Sequence, residues 1–190
     1  YYKKLLSTRE DNYAVYAKTV FSQEQRLLVI GTDVSSKYTR RNESEFAKIA
    51  RYIYETAQGK SGNYMAFFPS YKMMEQVLEK FYALNLGEMD CVVQETGMRE
   101  QERETFLECF RTERENTLVG FCVMGGIFSE GIDLKNEALI GAVIVGTGLP
   151  QVSNEREILK NYYDKRYSAG VDYAFRYPGM NKVLQSAGRV

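Results

Sequence analysis

The sequence predicts an α/β fold: a parallel sheet of about five strands flanked by helices. Two observations carry this. Short runs of wholly apolar residues alternate along the chain with longer segments whose apolar residues recur at helical spacing. The short runs also lack the apolar–polar alternation of a half-exposed strand, so both of their faces are expected to be covered, as in a parallel sheet.

Tyr1 to about Lys18 reads as a leading helix, and residues 1–25 as that helix and its connection. The domain proper is expected over residues 26–190. It opens on Arg26-Leu-Leu-Val-Ile-Gly31, read as a buried strand. Glu43 to Gln58 carries Phe46, Ile49, Ala50 and Ile53 at helical spacing, with Gly59 placed to cap its end. Tyr64-Met-Ala-Phe-Phe68 is the next strand. Pro69 and Ser70 then open a helix from Tyr71 to about Leu84, with Met74, Val77, Leu78 and Phe81 on one face. Cys91-Val-Val93 is a strand, and Arg99 to Phe110 a helix with Phe106, Leu107 and Phe110 inward. Thr117 to Val123 and Leu139 to Val145 are further strands. After Pro150 the alternation ends, and Asn154 to Tyr167, Asp172 to Tyr177 and Asn181 to at least Ala187 read as helical.

Composition sets bounds on function. Of 190 residues, 44% are hydrophobic and 26% charged, ordinary values for a globular chain. The 25 basic and 25 acidic side chains cancel, which argues against a freestanding electrostatic DNA binder but allows one wall of a shared groove. No apolar run reaches membrane-spanning length, so no membrane partner is expected. Cys91, Cys109 and Cys122 are widely spaced, lack a C-x-x-C pattern and read as free thiols of a cytoplasmic, reducing compartment. With no histidine, zinc binding and histidine acid–base chemistry are not expected, and no metal ligand set is assigned. The chain opens on Tyr1-Tyr2 and stops at Val190, which fits an excerpt of a longer protein.

Some motifs fail on inspection. Gln58-Gly-Lys-Ser-Gly62 suggests a phosphate loop, but Tyr54 stands where the first glycine is needed. The order of elements is also wrong, helix before strand. Gly146-Thr-Gly148 lacks the third glycine of a dinucleotide fingerprint, since Gln151 stands there.

Others hold more. Gly125-Gly-Ile-Phe-Ser-Glu-Gly-Ile-Asp133 follows a buried strand, where an open α/β sheet binds its ligands. Its glycines admit phosphate or sugar to the backbone, Ser129 is a neutral donor, and Glu130 and Asp133 are acceptors. Gln185-Ser-Ala-Gly-Arg189 puts Gln185 and Arg189 four apart on one predicted helix face, an amide and a planar cation suited to phosphate oxygens. Ser70 is placed to cap its helix, leaving other first-turn amides for a phosphate, and Tyr71 either stacks on a base or packs. Lys37-Tyr-Thr-Arg-Arg41 is a compact basic cluster enclosing an aromatic, read first as a solvated loop and second as a nucleic-acid contact.

In this order and spacing the segments resemble a known family. Asn63-Tyr-Met-Ala-Phe-Phe-Pro-Ser-Tyr71 resembles motif IV of the superfamily 2 DNA helicases of the XPD and DinG group. Gly126 to Asp133 is similar to their motif V, and Gln185 to Arg189 to the start of motif VI. Gly146-Thr-Gly-Leu-Pro-Gln151 and Asp172-Tyr-Ala-Phe-Arg-Tyr-Pro-Gly179 are also similar to that group. The resemblance covers residues 26–190 and implies a RecA-like second motor domain, cut at motif VI. The group's second motif VI arginine would fall beyond Val190.

The resemblance implies ATP bound between two RecA-like domains. An N-terminal motor domain of the same protein would hold the phosphate loop, the Mg2+ ligands and, in many members, an iron–sulfur cluster. Gln185 and Arg189 would be catalytic, and Gly131, Asp133 and Gly188 would line the nucleotide cleft. Ser129 and Glu130 would couple that cleft to the nucleic acid, with Ser70 and Tyr71 beside the strand. Single-stranded DNA would be moved 5′ to 3′, in a DNA-repair setting, in the cytoplasm (at the nucleoid in a bacterium). The chain alone, without a phosphate loop, would not hydrolyse ATP. The competing readings are a non-catalytic RecA-like module that binds nucleic acid or protein, and a motor that translocates without unwinding.

Overall fold

The computed structural model describes Tyr13, residues 15–17, residues 22–128, Leu134 and residues 136–190. The predicted leading helix lies almost wholly outside these residues. The chain divides into a short unit, residues 1–32, and a main unit, residues 33–190.

In the short unit the expected strand from Arg26 to Gly31 is not formed. Leu27, Leu28, Val29 and Ile30 are exposed and carry no strand pairing. An apolar run has the side chains of a strand, but a strand also needs a neighbour for its N–H and C=O groups. Gln23–Gln25 makes one 3-10 turn.

Among the described residues the main unit builds the sheet from four strands, against about five expected: β1 (Asn63–Phe68), β2 (Asp90–Val93), β3 (Leu118–Val123) and β4 (Gly141–Ile144). All pairings are parallel, in the order β2-β3-β1-β4, with Ala66 opposite both Phe121 and Val143. Helix α1 (Glu43–Gln58) starts where the Asn42 side chain accepts from the Glu45 amide at 3.0 Å. It ends at Gly59, whose φ of −62° is right-handed, so this glycine is not the left-handed cap its position suggested. Helix α2 (Tyr71–Asn85) follows β1, and α3 (Glu100–Arg111) follows β2.

The sheet's two faces sort the apolar residues by parity. Tyr64, Ala66 and Phe68 of β1 and Val119 and Phe121 of β3 pack with Ile49, Ile53, Val77 and Phe81 of α1 and α2. Met65 and Phe67 of β1 and Leu118 and Cys122 of β3 pack with Phe106, Leu107 and Phe110 of α3 on the other face. Each fully buried phenylalanine here contributes about 1.5–3 kcal/mol of transfer free energy, which is why β1 and β3 take the sheet's centre. Gly120 sits on the α3 face because Phe110 leaves no room for more. A Cβ there would stand 2.6 Å from Phe110 Cζ and 3.3 Å from Phe106 Cζ.

After β4 come α4 (Asn154–Tyr167), a π-helical segment Asp172–Arg176 and α5 (Tyr177–Ala187). Helix α4 buries no residue of its own and leans on the π segment through stacked tyrosines, with Tyr163 and Tyr173 ring centroids 4.4 Å apart. The cause of the π segment is Pro178. Proline has no N–H for the carbonyl four residues back, that of Ala174, and its ring would press against it. The backbone widens so that Tyr177 N–H reaches Asp172 O, while Arg156 Nη1 of α4 donates to the Ala174 carbonyl at 3.2 Å.

Candidate nucleotide and nucleic-acid site

Because all four strands run parallel, the segments leaving β1, β2, β3 and β4 emerge at one edge of the sheet. Ser70 leaves β1 as the N-cap of α2, its Oγ accepting from Met73 N at 3.4 Å. Tyr71 begins that helix half-buried against the core. Its hydroxyl accepts from Gln94 Nε2 at 2.9 Å and donates to Glu95 O at 3.5 Å. Packing and a fixed hydroxyl thus already account for much of this ring.

Gln94 follows β2 and is almost fully buried. Its Oε1 accepts from Val123 N at 2.9 Å, where β3 ends, while its amide nitrogen holds Tyr71. A Cβ on Gly126 would lie 2.9 Å from the same nitrogen. One side chain therefore ties the start of α2 to the start of the glycine loop. Sequence reasoning missed it, since a glutamine just after an apolar strand resembles the first residue of a solvated turn.

The glycine loop turns at Gly125, φ +71°, a conformation that costs a side-chain-bearing residue about 1–2 kcal/mol. Over this turn lies Lys182 of α5, whose Cε would stand 3.1 Å from a Cβ at Gly125. The same lysine reaches the turn after β4, with Cδ 3.5 Å from a Cβ at Gly148. Gly179, one turn earlier, lets α5 sit against Thr147 O and Leu149, where a Cβ would meet atoms at 2.9 and 2.7 Å. Helix α5 is thereby seated on the loops after β3 and β4. Lys182 was not singled out from the sequence, although it lies three residues before Gln185.

Gln185 is exposed on α5. The expectation that Arg189 shares its helix face is corrected. The helix ends at Ala187, Gly188 is its C-cap with N–H donated to Leu184 O, and half-buried Arg189 follows in the terminal turn. Ser129, Glu130, Gly131 and Asp133 lie outside the described residues. Among the described residues no cluster of three or more histidine, cysteine, aspartate or glutamate side chains could hold a metal ion, and no helix is long and apolar enough to cross a membrane.

The three cysteines are free. Cys122 is fully buried on the α3 face, and burial pushes its thiol pKa far up. Burial, with Asp90 nearby, raises that of Cys91 to about 11. Neither is a thiolate at neutral pH, so neither is a nucleophile.

Comparison with known proteins accords with this arrangement. The profile of the helicase C-terminal domain family matches residues 53–190. The ATP-dependent DNA helicase XPD of Sulfolobus acidocaldarius is 26% identical over 165 residues, 84% of this chain and 28% of that protein. The ATP-dependent DNA helicase CHL1 of Candida albicans is 26% identical over 70% of this chain and 16% of its own length. The chain thus spans between about a sixth and somewhat over a quarter of these relatives. Among solved structures, an XPD helicase superposes with a TM-score of 0.65 at 23% identity, over 84% of this chain and 28% of that one. The apo form of XPD gives 0.63 at 22% identity, over 83% and 31%. These likenesses fix the fold, and the four-stranded parallel sheet with flanking helices matches it. With its profile match running from the first helix through the motif VI-like turn, the chain belongs to the helicase C-terminal domain family, of the XPD/DinG-like type.

Proposed function

We propose that this domain is the second motor domain of an ATP-dependent helicase that moves along single-stranded DNA, in the 5′ to 3′ direction. The observation that carries the reading is the convergence of Ser70, the Gly125 turn and helix α5 at one edge of the sheet, with Gln94 and Lys182 joining them. ATP would lie between this edge and an N-terminal motor domain that supplies the phosphate loop and the Mg2+ ligands. Gln185 and Arg189 would face its terminal phosphate, with Gly131, Asp133 and Gly188 along the cleft. Arg189 suits that role because a guanidinium stays charged and presents a planar fork to phosphoryl oxygens as charge develops on them. Ser70 and Tyr71 would face the DNA backbone, and Ser129 and Glu130 would link the two ligands. An iron–sulfur cluster in the N-terminal domain, a place in DNA repair and a cytoplasmic location belong to the same proposal.

In the full-length protein, Arg189→Ala is expected to lower DNA-stimulated ATP turnover by about a hundredfold or more while sparing DNA binding, since a lost charged transition-state contact costs several kcal/mol. Phosphate release measured with and without single-stranded DNA reads this. Turnover equal to wild type would remove Arg189 from the mechanism.

A further inference from the structure

The loop leading into α1 is built more firmly than a connection requires. Glu45, only 6% exposed, accepts from Ser35 N at 2.7 Å and from Arg40 Nη2 at 2.6 Å. These bonds, the Ser35 amide foremost, hold its carboxyl below the usual range. Asp33 accepts from the Tyr52 hydroxyl, and its carbonyl accepts from Lys48 Nζ at 3.1 Å. Lys37 N donates to Ser35 Oγ at 3.2 Å, and Arg41 Nε donates to Ser36 O at 3.2 Å.

This loop sits at the ligand edge of the sheet. Ser36 Oγ would stand 2.3 Å from a Cβ on Gly146, so the loop rests on the turn that follows β4. What it presents outward is Tyr38, 85% exposed, with the Arg41 guanidinium 5.6 Å from the ring centroid. A ring so exposed adds nothing to the core, yet it is held in a 3-10 turn and flanked by the exposed cations Lys37 and Arg41. The acidic groups of the segment are engaged elsewhere: Asp33 with Tyr52, Glu45 with Ser35 and Arg40, and Glu43 with Lys80 at 2.5 Å.

We propose that Tyr38 and Arg41 form a contact for single-stranded nucleic acid, separate from the Ser70 turn. An unpaired base stacks on Tyr38, and Arg41 and Lys37 meet the adjacent phosphates. A preformed aromatic and cationic loop loses little freedom on binding, and ring–base stacking accepts any base. Paired bases offer no open face to such a ring, so the ligand is a single strand. The proposal rests on the reading that the domain tracks single-stranded DNA.

The test is a fluorescence-anisotropy titration of the full-length protein with a labelled oligothymidylate over a range of salt. Tyr38→Ala is expected to weaken binding about tenfold, with Tyr38→Trp restoring it. Arg41→Ala is expected to flatten the plot of log affinity against log salt by about 0.7, the loss of one phosphate contact on a single strand. Thermal unfolding of the Tyr38 variants should match wild type, because that side chain is exposed. Equal binding by Tyr38→Ala and wild type, or a tryptophan variant as weak as the alanine, overturns the contact while leaving the motor reading intact. Failure of the wild-type protein to bind the oligonucleotide overturns both.

Discussion

At the scale of single residues, Gly120 shows how closely the sheet's centre is fitted. Phe110 is held at its edge by Phe106, whose ring centroid is 5.6 Å away, and it is 1% exposed, so it has nowhere to swing. Gly120→Ala is therefore expected to destabilise the domain by about 1–3 kcal/mol, the usual cost of overpacking. A urea titration reads this as a lower midpoint with an unchanged slope. An unchanged midpoint would mean that α3 can move off the sheet. Gln94 is the second such residue. Its two bonds serve a backbone amide at the end of β3 and a side chain at the start of α2, so its value lies in joining elements.

At the scale of elements, Arg156 does for α4 and the π segment what Gln94 does at the sheet edge. Its guanidinium takes the carbonyl that Pro178 cannot serve. Removing it leaves a largely buried acceptor without this partner. Arg156→Ala should thus cost about 1–2 kcal/mol of stability and speed amide exchange over residues 172–187, with Arg156→Lys recovering part of the loss. Hydrogen exchange read by mass spectrometry gives the answer. Unaltered exchange there would show that α4 merely lies alongside.

At the scale of the whole molecule, the proposed function gives the chain the arginine side of an ATP site, while its sequence contains no phosphate loop. A purified 190-residue chain is accordingly expected to release no phosphate from ATP with or without DNA, while the full-length protein does. Turnover by the chain alone would require a nucleotide site of another kind. The sheet was legible because β1 and β3 are short, unbroken apolar runs whose burial on both faces has one architectural solution. Helices α1 to α3 were legible from spacing, and α2 also from its capping residue Ser70, whereas the Asn42 cap of α1 was not read. Arg26 to Gly31 misled because apolarity measures a wish for burial and says nothing of a pairing partner. Gln94, Lys182 and Arg156 escaped because each acts across elements far apart in sequence. The proposed site rests on the loop ends and the motif order, and Ser129, Glu130, Gly131 and Asp133 lie outside the described residues.

The widened turn before Pro178 has one more consequence. Relative to an unbroken α-helix it inserts one residue, and one residue is about 100° of rotation and 1.5 Å of advance. Everything downstream is turned by that angle: Gly179 toward Thr147, Lys182 over Gly125, Gln185 outward. The π segment is thus the phase setting of the helix, fixing which side chains face the glycine turns and which face outward. A single-residue deletion between Asp172 and Arg176 would keep the helix and its sequence motif, yet point the motif in a different direction.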